Sequence, residues 1–346
     1  MRGITIGDTA IGADHPTFII AEIGTNHGGS LERAKGLINA CAEAGADAVK
    51  FQSWTAELLN NVKEVGTDGR LMDSKAIPIL RKYELPNEWH VELAAYCNSL
   101  NIHFLSTPFD LKHARLLRDI GVPAIKISSS DLVYDELLEE ISTYSLPVLL
   151  SVGMANLGEI EHALECLGPA RDRTVLLHCI AAYPPIYKDV NLRAIHTLRK
   201  AFGLPVGFSD HLPGHEMVLA ATALGACVIE KHVTFSREDD TPDSFFALTV
   251  NELALMVQAV RRLEAAMGDG QKRCMPSEKE GLTGGRRCIF AARDLKAGMT
   301  LTRDDLAVVR PNIGEIKPRH LKMLIGRILR VDVSQGAPLA WRHLDW

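Results

Sequence analysis

One pattern recurs along most of this chain: a short run rich in β-branched and apolar residues, a turn, then a segment with helical apolar spacing. The strand-like runs are residues 18–24, 48–52, 103–108, 124–129, 148–153, 175–181, 206–209 and 228–234. Between them, residues 31–44 place Leu31, Ala34, Leu37, Ile38 and Cys41 on one face of a helix. Residues 89–99, 132–143, 215–224 and 251–267 have the same spacing. Parallel strands need long crossovers, and helices supply them. Eight such units predict a parallel (β/α)8 barrel of the TIM type. A doubly wound open sheet is the competing arrangement. Against it, Gly24-Thr-Asn-His-Gly28-Gly29 is glycine-rich but lacks the G-x-G-x-x-G spacing of a dinucleotide loop.

The repeat ends at about residue 268. Residues 269–286 are polar and glycine-rich with no sustained period, which reads as a linker. Residues 287–346 hold short β-like pieces at 288–292, 306–310 and 327–331, separated by turns such as Lys296-Ala-Gly298. The expected organisation is therefore a catalytic barrel over 1–268, a linker over 269–286 and a small, mostly-β module over 287–346. A module of that size is marginal alone and needs to dock on something. With 47% hydrophobic residues and a net charge of -5, the chain has no basic stripe for nucleic acid and no apolar stretch able to span a bilayer. The seven cysteines are scattered, without a C-x-x-C pair, so reduced thiols and a cytoplasmic setting are expected. The N-terminus has no signal-peptide pattern.

Polar residues crowd the C-terminal ends of the predicted strands: Glu22, Lys50, Gln52, Ser106, Thr107, Lys126, Ser128, Ser129, Ser151, His178, Ser209, Asp210, His211, Glu230 and His232. A (β/α)8 barrel builds its site at that end. Side chains alternate along a strand, so Lys50 shares a face with Gln52, and Glu230 with His232. His211 and His232 end neighbouring strands and form a plausible divalent-metal pair with positions open to substrate. Lys50 and Lys126 lie in apolar strands, where an unpaired ammonium is costly, so they call for anions. Two lysines among the hydroxyls of Thr107, Ser129, Ser151 and Ser209 suit a phosphorylated, carboxylated small molecule; pairing with Glu22 and Glu230 is the alternative. His27 is either a loop ligand or a turn residue, and Asp210 either orients His211 or faces away. Lys231 reads as structural, His178 and Cys179 as packing residues, and His103 as sitting at the wrong barrel end. The acidic run Arg237-Glu-Asp-Asp240 reads as a solvated loop.

Seven segments, in order, resemble the sialic acid synthase family, which includes N-acetylneuraminate, legionaminate and pseudaminate synthases. They are Ala21-Glu-Ile-Gly-Thr-Asn-His-Gly28, Lys50-Phe-Gln52, Ser106-Thr-Pro-Phe-Asp110, Lys126-Ile-Ser-Ser129, His178-Cys-Ile-Ala-Ala-Tyr-Pro184, Gly207-Phe-Ser-Asp-His211 and Glu230-Lys-His-Val-Thr234. The tail, with Ala292-Arg-Asp-Leu-Lys-Ala-Gly298 and Val309-Arg-Pro311, resembles that family's antifreeze-like (SAF) domain. The resemblance implies a cytoplasmic, domain-swapped homodimer. It implies condensation of phosphoenolpyruvate with an unphosphorylated N-acetylmannosamine-type sugar, releasing phosphate. By position, His211 and His232 would hold Mn2+ or Mg2+, and Lys50, Thr107, Lys126, Ser129, Ser151 and Ser209 would hold phosphoenolpyruvate. Glu22, Gln52, Asp131, Tyr183 and Asp243 would face the sugar or the attacking water, with Glu22 or Asp131 as base. Arg310 would reach the sugar's acyl group from the partner's C-terminal module.

This chain departs from the family pattern in places. Ala181 replaces a Ser or Asn, Asp131 stands where Glu is frequent, and Ser244 replaces a His in Thr241-Pro-Asp-Ser-Phe-Phe-Ala-Leu248. That more apolar segment is similar to pseudaminate-type synthases and hints at a 6-deoxy sugar such as a 2,4-diacetamido-2,4,6-trideoxyhexose. Condensation with a sugar phosphate, and a non-catalytic carbohydrate-binding protein on the same scaffold, are the competing functions.

Overall fold

The computed structural model describes residues 4–67 and 69–346. The chain divides into two compact units, Met1–Gly268 and Asp269–Trp346.

The first unit is a parallel (β/α)8 barrel. Its strands are Phe18–Glu22, Ala48–Ser53, His103–Pro108, Ile125–Ile127, Val148–Ser151, Thr174–Cys179, Val206–Asp210 and Val228–Thr234. Hydrogen-bonded pairing runs in one path from His103–Pro108 round to Ile125–Ile127, consecutive strands that lie side by side, so the sheet all but closes. Helices fill the crossovers, including Leu31–Glu43, Asn87–Ser99, Asp135–Ser142, Glu216–Ala223 and Val250–Met267. Their starts follow local chemistry. Ser30 accepts from the Arg33 amide, Asp110 from the His113 amide, and Asn156 and Thr249 each close a capping box with a glutamate three residues on. The predicted helix at 132–143 begins later, at Asp135, because residues Ser130–Val133 form a separate 3-10 turn.

Strand alternation sorts the barrel into two cores. Outward residues such as Ile19, Val49, Phe104, Leu150, Leu176 and Ile229 pack under the helices. Inward residues Ile20, Ala48, Leu105, Leu149, Leu177 and Val228 make an apolar plug within the barrel. Gly207 belongs to that inner face, because a Cβ there would stand 2.6 Å from Leu177 Cδ2 and 2.5 Å from the Val228 carbonyl oxygen.

The plug has a floor that the repeat pattern does not announce. An antiparallel hairpin, Ile4–Ile6 with Thr9–Ile11, adds Ile4, Ile6 and Ile11 to the inner core. His103 lies here, stacked on Phe18, which agrees with its expected place away from the site. A second hairpin, Lys63–Val65 with Leu71–Asp73, lies in the crossover after Ala48–Ser53.

The second unit pairs Cys288–Ala291 with Leu306–Val309 and adds isolated bridges, including Leu295 with Val333 and Leu329 with Leu344. Residues 327–331 thus contribute bridges where a β-piece was expected. Ile289, Leu301, Leu306, Leu329 and Leu339 are fully buried in its small core. Residues 269–286, read as a linker, carry short helical turns, Pro276–Glu278 and Lys279–Gly284. Among the described residues no helix is long and apolar enough to cross a membrane.

Ile6 is completely buried in the barrel floor. Ile6→Ala should lower unfolding free energy by about 3 kcal/mol. Urea denaturation would read this as a lower midpoint at unchanged slope; an unaltered midpoint would remove the hairpin from the cooperative core.

Candidate active site

Above the apolar plug the inward face turns polar. Parallel register puts Glu22 level with Lys50 on one side and His232 on the other, Ser209 level with Glu230, and Gln52 level with Thr107. The same alternation that supplies the floor lifts these side chains into a cavity of about 300 Å³. Glu22, Lys50, Gln52, Thr107, Lys126, Ser129, Ser151, Tyr183, Ser209, His211, His232 and Asp243 all line it.

Charge organises the cavity. The Lys50 ammonium lies 2.7 Å from Glu22 Oε2 and 3.7 Å from Glu230 Oε2, and donates to Thr107 Oγ1 at 3.1 Å. Lys50 therefore does not wait for an outside anion: two carboxylates already face it. Burial lowers its pKa, but Glu22 and Glu230 more than offset this and hold it above the ordinary lysine value. Lys126 differs. It donates to Ser151 Oγ at 2.7 Å and to the Ile127 carbonyl at 2.8 Å, and burial depresses its pKa. Its ammonium contacts neutral acceptors and faces the open cavity, which is the arrangement expected of an anion binder.

The two glutamates diverge. Burial, against the field of Lys50 and helped by Glu230, pushes Glu22 up to about 7. Glu230 is equally buried, but Lys126 and then Lys50 outweigh that and take it down to about 2. Ser209 Oγ donates to Glu230 at 2.8 Å and the Gln52 amide to Glu22 at 2.7 Å. One carboxyl thus titrates near neutrality beside another that stays ionised, a pairing suited to proton transfer.

The histidine rings lie 5.4 Å apart between centroids. His211 Nδ1 is 2.9 Å from the Ile180 carbonyl oxygen, which can only accept. The proton is therefore on Nδ1, leaving Nε2 bare. Burial takes His211 down to about 4 and His232 to about 3, so both rings are neutral at neutral pH. His232 Nδ1 and Glu230 Oε2 are buried without a hydrogen-bond partner, and His232 Nδ1 stands 3.6 Å from Asp243 Oδ2. Such orphaned atoms are costly to bury. Two neutral imidazoles with a carboxylate alongside fit a divalent ion in donor chemistry. Phe246 packs edge-on against His232 at 4.9 Å and holds the ring, and Tyr183 covers His211 at 4.3 Å. Asp243 in turn accepts from Thr25 Oγ1 at 3.0 Å.

One expected site residue is placed otherwise. Asp131 does not line the cavity. The Ser128 hydroxyl donates to its carboxylate at 2.5 Å, and this local bond turns it back onto its own 3-10 turn. Arg310 lies in the second unit, just after Leu306–Val309. Glu230, Ser128 and Cys179 also line the cavity, although no ligand-facing role was assigned to them from sequence. For Glu230 the signal was present, because it lies two residues from His232 on one strand face.

The open alternatives are also decided. Asp210 faces outward and pairs with Lys231 at 2.6 Å, both fully buried beneath the helices. His27 is a turn residue, with Nδ1 accepting from the Gly29 amide at 3.0 Å. His178 donates to the Val190 carbonyl at 2.7 Å behind the site. Cys179 is close to the Ser129 hydroxyl, at 3.0 Å. The acidic run is only partly solvated: Asp239 accepts from Thr234 Oγ1 and the Ser236 amide and pairs with Arg33, because its carboxylate closes the loop. Ser244 donates to the Asp239 and Thr241 carbonyls, so it braces that loop.

Lysines, carboxylates and paired histidines converging on the mouth of a parallel barrel define a barrel enzyme acting on small anionic molecules. The chain belongs to the NeuB family, which residues 37–272 match, and residues 286–345 match the SAF domain. It is 40% identical to the N,N'-diacetyllegionaminic acid synthase of Campylobacter jejuni, over 90% of this chain and 95% of that one. It is 32% identical to the pseudaminic acid synthase of Helicobacter pylori, over 94% of this chain and 97% of that one. The crystal structure of an N-acetylneuraminic acid synthetase from Leptospira borgpetersenii, in complex with citrate, superposes with a TM-score of 0.74 at 36% identity, covering 81% of this chain and 95% of that one.

Asp210→Ala should strand the Lys231 ammonium in the core and cost about 3 kcal/mol or more. Adding Lys231→Met should recover much of that loss. A double-mutant cycle in urea would measure the coupling, and additive losses would show that the pair is not a unit.

Proposed function

We propose that this protein condenses phosphoenolpyruvate with an unphosphorylated acetamido sugar of the N-acetylmannosamine type, releasing phosphate and forming a 2-keto-3-deoxy (nonulosonic) acid. One observation carries the reading: Lys126, with the Ser129, Ser151 and Thr107 hydroxyls, faces the histidine pair across one cavity. Among the relatives, those named as N,N'-diacetyllegionaminic acid synthases are 37% and 40% identical to this chain, which favours a 2,4-diacetamido-2,4,6-trideoxyhexose as the acceptor.

In this reading Lys126, Thr107, Ser129, Ser151 and Ser209 hold phosphoenolpyruvate, and Lys50, already paired with Glu22 and Glu230, adds positive charge beside it. Gln52, Tyr183 and Asp243 face the sugar. His211 and His232 would hold Mn2+ or Mg2+, which when bound would polarise the sugar's aldehyde oxygen. The enol carbon of phosphoenolpyruvate forms the new bond to the aldehyde carbon. Positive charge then grows at C2 of the former enol, which the carboxylate of Glu230 would stabilise. Water adds at C2 and loses its proton to Glu22, which titrates near neutrality and lines the cavity where Asp131 does not. The former aldehyde oxygen takes up a proton to become a hydroxyl. As the C2 hydroxyl loses its proton and forms the ketone, the C2–O bond to phosphate breaks and phosphate leaves, stabilised by Lys126. Arg310, on the second unit of a partner subunit in a domain-swapped homodimer, would reach the sugar's acyl group. Phosphoenolpyruvate is made inside cells, which supports a cytoplasmic setting.

Phosphate release should appear only when phosphoenolpyruvate, a divalent metal and an unphosphorylated acetamido sugar are all present. A screen of N-acetylmannosamine, diacetamido trideoxyhexoses and sugar phosphates decides the acceptor; turnover with a sugar phosphate alone, or with none, would overturn the proposal. His232→Ala should reduce turnover by at least about a hundredfold, on the scale of losing a group that stabilises the transition state, while circular dichroism stays native. Arg310→Ala should raise the KM for the sugar far more than that for phosphoenolpyruvate; equal KM values before and after would remove Arg310 from the site.

A further inference from the structure

The outer helices carry a second set of metal-ligating groups, away from the barrel mouth. His162 and Cys166 lie one turn apart on the helix Leu157–Cys166, and Asp135 is the first residue of the neighbouring helix Asp135–Ser142. The three donor atoms all lie within 4.8 Å of one another, the single His/Cys/Asp/Glu group meeting that condition among the described residues. Both partners converge on one atom: His162 Nε2 is 3.0 Å from Asp135 Oδ2 and 3.7 Å from Cys166 Sγ.

Those separations match a particular geometry. In a tetrahedral zinc site, Zn–N and Zn–O bonds of about 2.0 Å and a Zn–S bond of about 2.3 Å place N and O about 3.3 Å apart and N and S about 3.5 Å apart. Burial, with the carboxylates of Asp135, Glu139 and Glu165, holds the Cys166 thiol above its ordinary value, and the same negative field attracts a cation that would draw off its proton. Asp135 and His162 are about half exposed, leaving room for a water as fourth ligand. The i, i+4 spacing of His162 and Cys166 and the contact of His162 with Asp135 together bring three donors of metal-ligating type to one point.

We propose that Asp135, His162 and Cys166 form a separate surface site for a borderline-soft divalent cation of the Zn2+ type. Binding exchanges the Cys166 thiol proton to solvent for a metal–sulfur bond. The thiolate selects zinc or cobalt over Mg2+, which prefers an all-oxygen shell. A bound ion would staple together the helices that follow Ile125–Ile127 and Val148–Ser151, the strands carrying Lys126 and Ser151. The site would thus brace the lysine side of the cavity from outside.

Cobalt titration tests this, because thiolate-to-cobalt charge transfer reports sulfur ligation directly. In a His211→Ala/His232→Ala protein, which removes the histidine pair of the mouth, one equivalent of Co2+ should raise that band, and Zn2+ but not Mg2+ should bleach it. Cys166→Ser should abolish the band, and His162→Ala or Asp135→Asn should weaken binding at least tenfold. Absence of the band, or a band that survives Cys166→Ser, would overturn the proposal. If the doubly substituted protein does not fold, the unmodified chain and Cys166→Ser alone give the same comparison, with the band present only in the former. Zn2+ should also raise the melting temperature of the unmodified protein more than that of Cys166→Ser; an equal rise would count against the site.

Discussion

Four ionisable side chains, Glu22, Lys50, Lys126 and Glu230, are buried together inside the barrel, and the rest of the site depends on how that burial is tolerated. Desolvating such a group costs several kcal/mol unless a partner stands beside it. Here parallel register provides the partners, since Glu22, Lys50 and Glu230 come from three adjacent strands and Lys126 from across the barrel. The cluster is matched in number of acids and bases but not in pairing. Glu230 Oε2 lacks a hydrogen-bond partner, and Lys126 is held by a hydroxyl and a carbonyl. That incompleteness is what makes the layer a site for a ligand with both an anionic and an electron-poor end.

The surroundings keep this charged layer rigid. Below it, the hairpin at Ile4–Ile6 and Thr9–Ile11 seals the barrel with apolar side chains. Outside it, Asp210 and Lys231 neutralise each other on the face opposite His211 and His232, so the strands bearing the histidines are also locked through their backs. Above it, Asp239 closes the loop that carries Asp243 and Phe246, the residues set against His232. The Asp210–Lys231 pair lies one residue from each of the two histidines. A precise site on a barrel needs such backing, because side chains that meet substrate cannot also spend their bonds on holding themselves in place.

The strand-by-strand alternation of Ile20 with Glu22, Ala48 with Lys50, and Val228 with Glu230 and His232 was legible in the chain, because period-two geometry is local. It located the barrel and nearly all of the cavity wall. The seven resemblance segments added the chemistry. Three things were not legible. The sealing hairpin is too short to be distinguished from a loop. The Asp131 carboxylate is bonded by a hydroxyl three residues before it, and side-chain capture of that kind has no signature in spacing. The pairing of Lys50 with Glu22 and Glu230, against the open position of Lys126, depends on distances between strands.

The sequence by itself determined the order of elements, the inward and outward faces of each strand, and which polar residues end at the mouth, since these follow from the periodicity of the backbone. Only the tertiary structure decided which charges neutralise one another, which lysine stays open to an anion, that Asp210 serves Lys231 rather than His211, and that Asp135, His162 and Cys166 meet on the outer surface. The physical reason is the same in each case. Electrostatic and metal-ligand interactions depend on separations of a few ångströms between residues distant in the chain, and closure of the barrel sets those separations.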